Sequence, residues 1–507
     1  MRKLWILLLA TIVLTLQACD ALKDYDEEIL SFESTVLNQI PDQINANFTI
    51  DLEDGYDVSY QVSDQVYQDV FQYDAPFYDT NVLMEVTVKR GTSEQTFQKD
   101  VTLLSRESGY QETKIYLQVP YGIDSIEKEV YQAVEVKVET IKNGELVIEH
   151  ETNEAKIRGR GNSTWFSYEK KPYRLRFDKN TSILGMPEAK NYVLLAEYAD
   201  KSLIRNILTQ KMASLFSNLD PLEVRPVELY INNEYRGYYV LTEQVENHPN
   251  KLALNDVPGV ANTDYLFELD MRFYEQNVEP GFDWFLVDRH AYQIKDPDPD
   301  ELEFTDVHAA YLEEQLYALE NALINKEGYQ DLLDVDNAID YFLIHEISKN
   351  VDVGWSSVFM IKKQDGPFMY APLWDFDFAY GNADYIDYGP ENWYGMREWK
   401  NRMFILMMKV PELRLKFKER FMYYEEEILP QLEQFIIRFQ NSISEMGIKN
   451  FERWPILETY IWPNPTEMME RHSHALQVEY VYLYLLERSA WMKEELGSSA
   501  YSVGNFE

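Results

Sequence analysis

A chain of 507 residues with 45% hydrophobic and 14% aromatic content has enough apolar material for two or three domains with filled cores. Its 47 Lys and Arg against 87 Asp and Glu leave a net charge of -40. Such a surface repels phosphate backbones and the anionic lipids that polybasic segments seek. That excludes nucleic acid as a partner and leaves two uses for the charge, solubility or attraction of a basic protein segment.

In chain order, residues 2–19 carry Arg2 and Lys3, an apolar run over 4–16, and then Gln17-Ala18-Cys19. This is the order of an export signal, and the run is too short for a stable membrane span. A small residue followed by cysteine resembles a bacterial lipobox, in which Cys19 is acylated and becomes the mature N-terminus. The implied location is an exported, membrane-anchored lipoprotein at the cell surface or envelope. Gln17 departs from the usual small or hydroxylated residue, and a secretory signal with an incidental cysteine is the other reading. Cys19 is the only cysteine, so an intramolecular disulfide and a cysteine-based metal site are both excluded. Residues 20–28 read as a short acidic tether.

Over 29–105 the segments Phe48-Thr49-Ile50-Asp51-Leu52, Asp57-Val58-Ser59-Tyr60-Gln61-Val62 and Val82-Leu83-Met84-Glu85-Val86-Thr87-Val88 are β-branched, aromatic or alternating, with turn residues between them and no helical period. They predict a small all-β immunoglobulin-like sandwich. It holds no cluster of catalytic groups, which makes it a spacer or binding module. Ser105-Arg106-Glu107-Ser108-Gly109 is a polar break and the predicted boundary. Strands are then predicted over about 113–240, helices over about 301–349, a short β region near 356–373 and helices in the C-terminal third. Strands first and helices second, around one cleft, predict an α+β two-lobed domain over 113–497.

Four blocks stand out in that domain. The first is Ile157-Arg158-Gly159-Arg160-Gly161-Asn162-Ser163-Thr164-Trp165 with Lys170-Lys171-Pro172-Tyr173-Arg174-Leu175-Arg176-Phe177. The second runs from Leu194-Leu195-Ala196-Glu197-Tyr198-Ala199-Asp200 to Arg205-Asn206, and the third from Val227-Glu228-Leu229-Tyr230 to Glu243-Gln244-Val245-Glu246. The fourth is Asn350-Val351-Asp352 followed by Trp374-Asp375-Phe376-Asp377. In this order the blocks resemble the spore-coat protein H (CotH) kinase-like family. The resemblance implies an atypical protein-kinase-like fold, ATP and Mg²⁺ (or Mn²⁺) as cofactors, and transfer of the ATP γ-phosphate to Ser or Thr of a surface or envelope protein, with a basic, Ser-rich protein as candidate acceptor. The alternative is a catalytically silent kinase-like surface protein that acts in binding or adhesion.

Read residue by residue, Lys171, Tyr173, Leu175 and Phe177 share one face of a predicted strand, and Arg174 and Arg176 the other. A lysine in phase with the inward set fits a phosphate-binding lysine at the mouth of a nucleotide cleft, as on the third strand of protein kinases. It equally fits a lysine whose stem lies on apolar surface. Arg158 and Arg160 flank glycines that permit close backbone approach, so their loop either wraps phosphates or is a plain tight turn. Asp200 is placed to cap a helix carrying Leu203, Ile204, Ile207, Leu208, Leu215 and Phe216. Glu243 stands where the chain leaves a hairpin, a candidate to contact the nucleotide or Lys171, or else a solvated carboxylate.

An amphipathic helix over 339–349, with Ile339, Phe342, Leu343 and Ile347 inward, delivers Asn350 and Asp352. A strand over 357–362 and a turn at 365–367 then lead to Asp375-Phe376-Asp377. By kinase logic Asp352 orients or deprotonates the acceptor hydroxyl, and Asn350 organises the loop or joins the metal. Asp375 holds Mg²⁺, and Asp377 is a second ligand or a cap. Taken singly these are ordinary loop residues, and the two aspartates also fit a hydrolase. His345 has no second histidine at metal spacing and reads as core. The chain contains no His-Arg-Asp or Asp-Phe-Gly string.

Overall fold

The computed structural model describes residues 25–44, 47–52, 55–62, 65–73, 80–103, 113–142, 145–276, 278–397 and 401–497. The segment that reads as an export signal, with Cys19, lies outside them. The chain divides into two compact units, 1–109 and 110–507, and its secondary structure is mixed α+β.

In the first unit five strands form one sheet in the order Gln43–Ile44, Ser93–Leu103, Thr80–Arg90, Asp57–Val62, Gln65–Gln68. Alternation puts Met84, Val86 and Val88 on one face, and these share a core with Ile29 and Val36 of two short helices, Asp26–Leu30 and Glu33–Gln39. Helices were not predicted here, because at five and seven residues each is too short for a period to show. Among the described residues there is one sheet, whereas a sandwich needs two facing sheets. Phe48 makes only an isolated bridge with Phe71, not a strand through Leu52. Tyr25 is buried and its N–H donates to Ser93 Oγ at 2.8 Å. The module therefore includes Tyr25, which corrects the tether predicted through Glu28.

In the second unit seven strands close into a barrel. Around it run Ala189–Leu195, Glu234–Glu243, Val224–Ile231, Lys114–Gln118, Gln132–Lys142, Glu145–Gly159 and Tyr173–Thr181, which returns to Ala189–Leu195. Every neighbouring pair is antiparallel except Val224–Ile231 with Lys114–Gln118. Period two sorts the side chains: Tyr173, Leu175 and Phe177 fill the barrel with Ile157, Val136 and Leu229, while Arg174 and Arg176 point out. A second antiparallel sheet follows, in the order Trp284–Val287, His290–Asp296, Tyr265–Leu269, Val358–Lys362, Phe368–Tyr370.

The helix Val335–Ser348 packs beside this sheet. Asp334 caps it by accepting from Asn337 N–H at 3.1 Å, and Lys349 ends it in the left-handed region, φ 49°. Ile339, Phe342, Leu343 and Ile347 are buried as predicted, but so is every other residue from Asn337 to Ser348. The helix is thus enclosed on all sides instead of amphipathic. Helices Pro411–Tyr423, His474–Gly497 and Arg205–Ser214 pack against it.

Candidate functional site

A cavity of about 940 Å³ in the second unit is lined from the barrel rim on one side and from the second sheet and its connecting loops on the other. Three loops meet there: 158–164 after a barrel strand, 350–357 after the buried helix, and 374–378 after the last strand.

The 374–378 loop is held in an uncommon shape. Asp375 has φ 68°, a region that a residue with a Cβ adopts only when its surroundings insist on it. Two asparagines supply the clamp. Asn350 Nδ2 donates to the Asp375 carbonyl at 3.2 Å, and Phe376 N–H donates to Asn206 Oδ1 at 2.9 Å. Asn350 also accepts from Asp352 N–H at 3.0 Å, so one buried side chain joins the two aspartate loops. Ser357, itself at φ 64°, donates to Asp375 Oδ2 at 3.4 Å. Behind the loop, Arg205 is fully buried against Asp200 and donates to the Ala379 carbonyl at 2.9 Å; Asp200 accepts from Arg205 N–H at 2.9 Å, but the N-cap position of the helix Arg205–Ser214 is held by Ile204 and not by Asp200 as predicted. Asp352, Asp375 and Asp377 all line the cavity.

A fourth carboxylate, Glu197, was not singled out from sequence. It is 6% exposed, has φ 49°, lines the cavity and accepts from Asn206 Nδ2 at 3.0 Å, while its Oε2 is buried with no hydrogen-bond partner. Burial and then Asp200 push its carboxyl up to about 8. Burial, with Asp375 and Glu197 next, holds the Asp377 carboxyl well above the usual carboxylate range. Acidic groups are thus packed until some keep their protons.

Across the cavity stand Arg158, Arg160 and Arg174. Arg158 pairs with Glu129 at 3.7 Å and Arg174 with Glu246 at 3.2 Å, which Asn191 Nδ2 braces at 2.9 Å. Arg160 differs from these: among the described residues its guanidinium has no carboxylate partner, and it lies over the Trp374 ring at 5.1 Å. Burial pulls its pKa down, and Asp375 is the largest influence in the other direction. A cation held by a ring face keeps its N–H donors for an anionic ligand.

The predicted set therefore divides. Arg158, Arg160, Asp352, Asp375 and Asp377 share one cavity, with Asn350 directly beneath. Lys171 does not line it: the strand begins at Tyr173, and Lys171 turns back to donate to the Trp165 carbonyl at 2.6 Å. Glu243 is fully buried away from the cavity, where it accepts from Glu223 N–H at 2.8 Å and lies 3.8 Å from Lys251. Burial raises its carboxyl too. Arg174 takes the cavity position expected of Lys171, and the signal for it was its place on the strand's outer face.

Whether these groups fit a divalent cation can be tested on the donors. Among the described residues no three His, Asp or Glu side chains form a metal cage by themselves. Mg²⁺ requires less, one or two carboxylates with water and phosphate oxygens completing the shell. Asp375 and Asp377, whose mutual repulsion a cation would relieve, satisfy that requirement.

The second unit is thus a mixed α+β unit in which clustered carboxylates face arginines across one cavity. The family follows directly: the model described as CotH kinase protein matches residues 157–492, two thirds of the chain, which belongs to that family. No curated protein matches the chain.

Proposed function

We propose that the second unit is an atypical protein kinase that moves the γ-phosphate of ATP to a Ser or Thr hydroxyl of a surface or envelope protein. The observation that carries this reading is the pairing, in one cavity, of the Asn350-clamped aspartates with Arg160, which among the described residues makes no ion pair. Arg160, with Arg158 and Arg174 beside it, holds phosphate oxygens. Asp352 positions the acceptor hydroxyl and takes its proton as the phosphorus–oxygen bond to the leaving ADP breaks and the bond to the acceptor oxygen forms. Asp375 and Asp377 are the groups that hold Mg²⁺ or Mn²⁺, which when bound supplies charge neutralisation on the phosphates. Lys171 and Glu243 have no part in this assignment; both act within the fold. Cys19 carries a lipid that anchors the chain outside the membrane, and a basic, Ser-rich protein is the acceptor class that a net charge of -40 attracts.

The test is incubation of residues 20–507 with radiolabelled ATP, Mg²⁺ or Mn²⁺ and a Ser-rich basic protein, beside Asp352→Ala and Asp375→Ala. Label transferred by the parent and by neither variant is the expected result. No transfer together with no metal-dependent nucleotide binding by calorimetry overturns it and leaves a binding or adhesion protein. Labelled fatty acid retained by the full chain and lost in Cys19→Ser tests the anchor.

A further inference from the structure

Beside its charged groups the cavity wall carries an aromatic surface, from Tyr168, Tyr198, Tyr385 and Trp462, and an apolar stretch formed by Leu195, Val245, Leu266 and Phe359, members with Trp374 of a single hydrophobic cluster. If the cavity takes a nucleotide, as proposed above and on which this inference rests, the flat faces of the base belong on that stretch, because Trp374 joins it to Arg160, the proposed phosphate-holding cation, while Tyr385 of the aromatic surface lies towards Asp352. The groups at the edge of the stretch then read the base.

Two such groups line the cavity there. Gln244 immediately follows the barrel strand Glu234–Glu243 and precedes Val245. Asp296 ends the strand His290–Asp296, and its Cα is the cross-strand partner of Leu266, so its carboxyl stands at the end of the apolar stretch. Glu246 and the Asn247 backbone N–H both act on it electrostatically, which places it against the 244–247 segment. The neighbouring cation, Lys295, is already held by Glu268 at 2.9 Å and Gln293 at 2.5 Å. What remains for a ligand at this edge is the Asp296 carboxyl and the Gln244 amide, each with an acceptor oxygen.

We infer that Asp296, with Gln244, reads the exocyclic amino group of the base and makes an aminopurine the nucleotide this cavity selects. A carboxyl oxygen accepts from an amino N–H in either protonation state. Burial, followed by Asp256 and Asp298, pushes this carboxyl up to about 7. Its neutral form, present at neutral pH, also donates to the ring nitrogen beside the amine. That gives a two-bond match which a base lacking the amine cannot complete.

The test uses the full chain and two probes in the presence of Mg²⁺: ATP, and the triphosphate of purine riboside, which lacks only the 6-amino group. Binding is measured by calorimetry for the parent, Asp296→Ala and Asp296→Asn. The parent is expected to bind ATP about 10-fold more tightly, the worth of one well-made hydrogen bond. Asp296→Ala is expected to bind both alike, and Asp296→Asn to keep the preference, because an amide also accepts from the amine and donates to the ring nitrogen. Equal binding of the two probes by the parent, or a preference that survives in Asp296→Ala, overturns the inference while leaving the kinase reading standing. Binding of neither probe by the parent overturns the kinase reading and this inference with it.

Discussion

Asn206 is the residue on which the aspartate loop and the buried Glu197 both depend, and replacing it with leucine tests whether that dependence is real. The side chain is 8% exposed and makes two hydrogen bonds, accepting from Phe376 N–H at 2.9 Å and donating to Glu197 Oε1 at 3.0 Å. Leucine has the same number and branching of side-chain heavy atoms, so no cavity forms and the main loss is polar. Two buried groups are left without partners, at roughly 1–3 kcal/mol each, and partial relaxation puts the expected loss near 3 kcal/mol. Glu197 suffers further, since its Oε2 already lacks a partner and the Asn206 N–H is what draws its pKa down. Urea unfolding followed by tryptophan fluorescence reads the right part of the molecule, because every tryptophan after Trp5 lies at or beyond Trp165. Asn206→Asp separates the two bonds. It keeps an acceptor for Phe376 N–H but sets a second carboxylate against Glu197, and should be at least as destabilising at pH 8 while recovering towards pH 5. A loss below about 0.5 kcal/mol in the leucine variant, the range of ordinary surface changes, would refute the clamp.

Three other outcomes are expected. The raised carboxyl of Glu197 contributes stability that is fully present below its unfolded value near 4.5 and is lost as pH rises through about 8, so Glu197→Gln should flatten the decline in stability between pH 5 and 8.5. Lys170, whose amine is buried against Asn450 Oδ1 at 2.9 Å and pulled down to about 7 by burial, acts with the opposite sign. The unfolded chain binds its proton and the folded chain does not between pH 7 and 10, so stability from this group rises across that window, and the rise should vanish in Lys170→Met. Gly237→Ala should cost about 2 kcal/mol or more in the same urea assay, since φ is +110° and the new Cβ would lie 2.6 Å from Asn450 Oδ1.

How far the sequence reaches is set by the range of the contacts involved. The helix that delivers Asn350 and Asp352 was legible because Ile339, Phe342, Leu343 and Ile347 recur at helical spacing, a local signal, although the helix begins at Val335, before that spacing starts. The family match over 157–492 was legible because four separate blocks kept their order. Arg174 was placed on the correct face of its strand, but period two cannot say whether an outer face meets water or a cavity. That depends on where Glu246 arrives, 72 residues later. Glu197 and Asn206 stood inside a quoted block without a role, because the group that gives them one, Phe376 N–H, is 170 residues from Asn206. Lys171 was displaced for a local reason: the loop curls back so that the Trp165 carbonyl, six residues away, takes its amine before the strand begins.

The overall charge of -40 sets a condition on any nucleotide reading, because a polyanionic ligand approaches a field that repels it. Beyond a Debye length, about 10 Å at 0.1 M salt, that field is screened, so what decides binding is the charge within reach of the phosphates. There the chain reduces its own negative charge twice. It pairs Glu129 with Arg158 and Glu246 with Arg174, and it packs Glu197 and Asp377 among other carboxylates until they hold protons at pH values where surface carboxylates have none. Arg160, which among the described residues makes no ion pair, rests on the Trp374 ring within the field of Asp375. An acidic surface and an anion-binding cavity are therefore compatible in one chain, because the first acts at long range through salt and the second at contact distance without it.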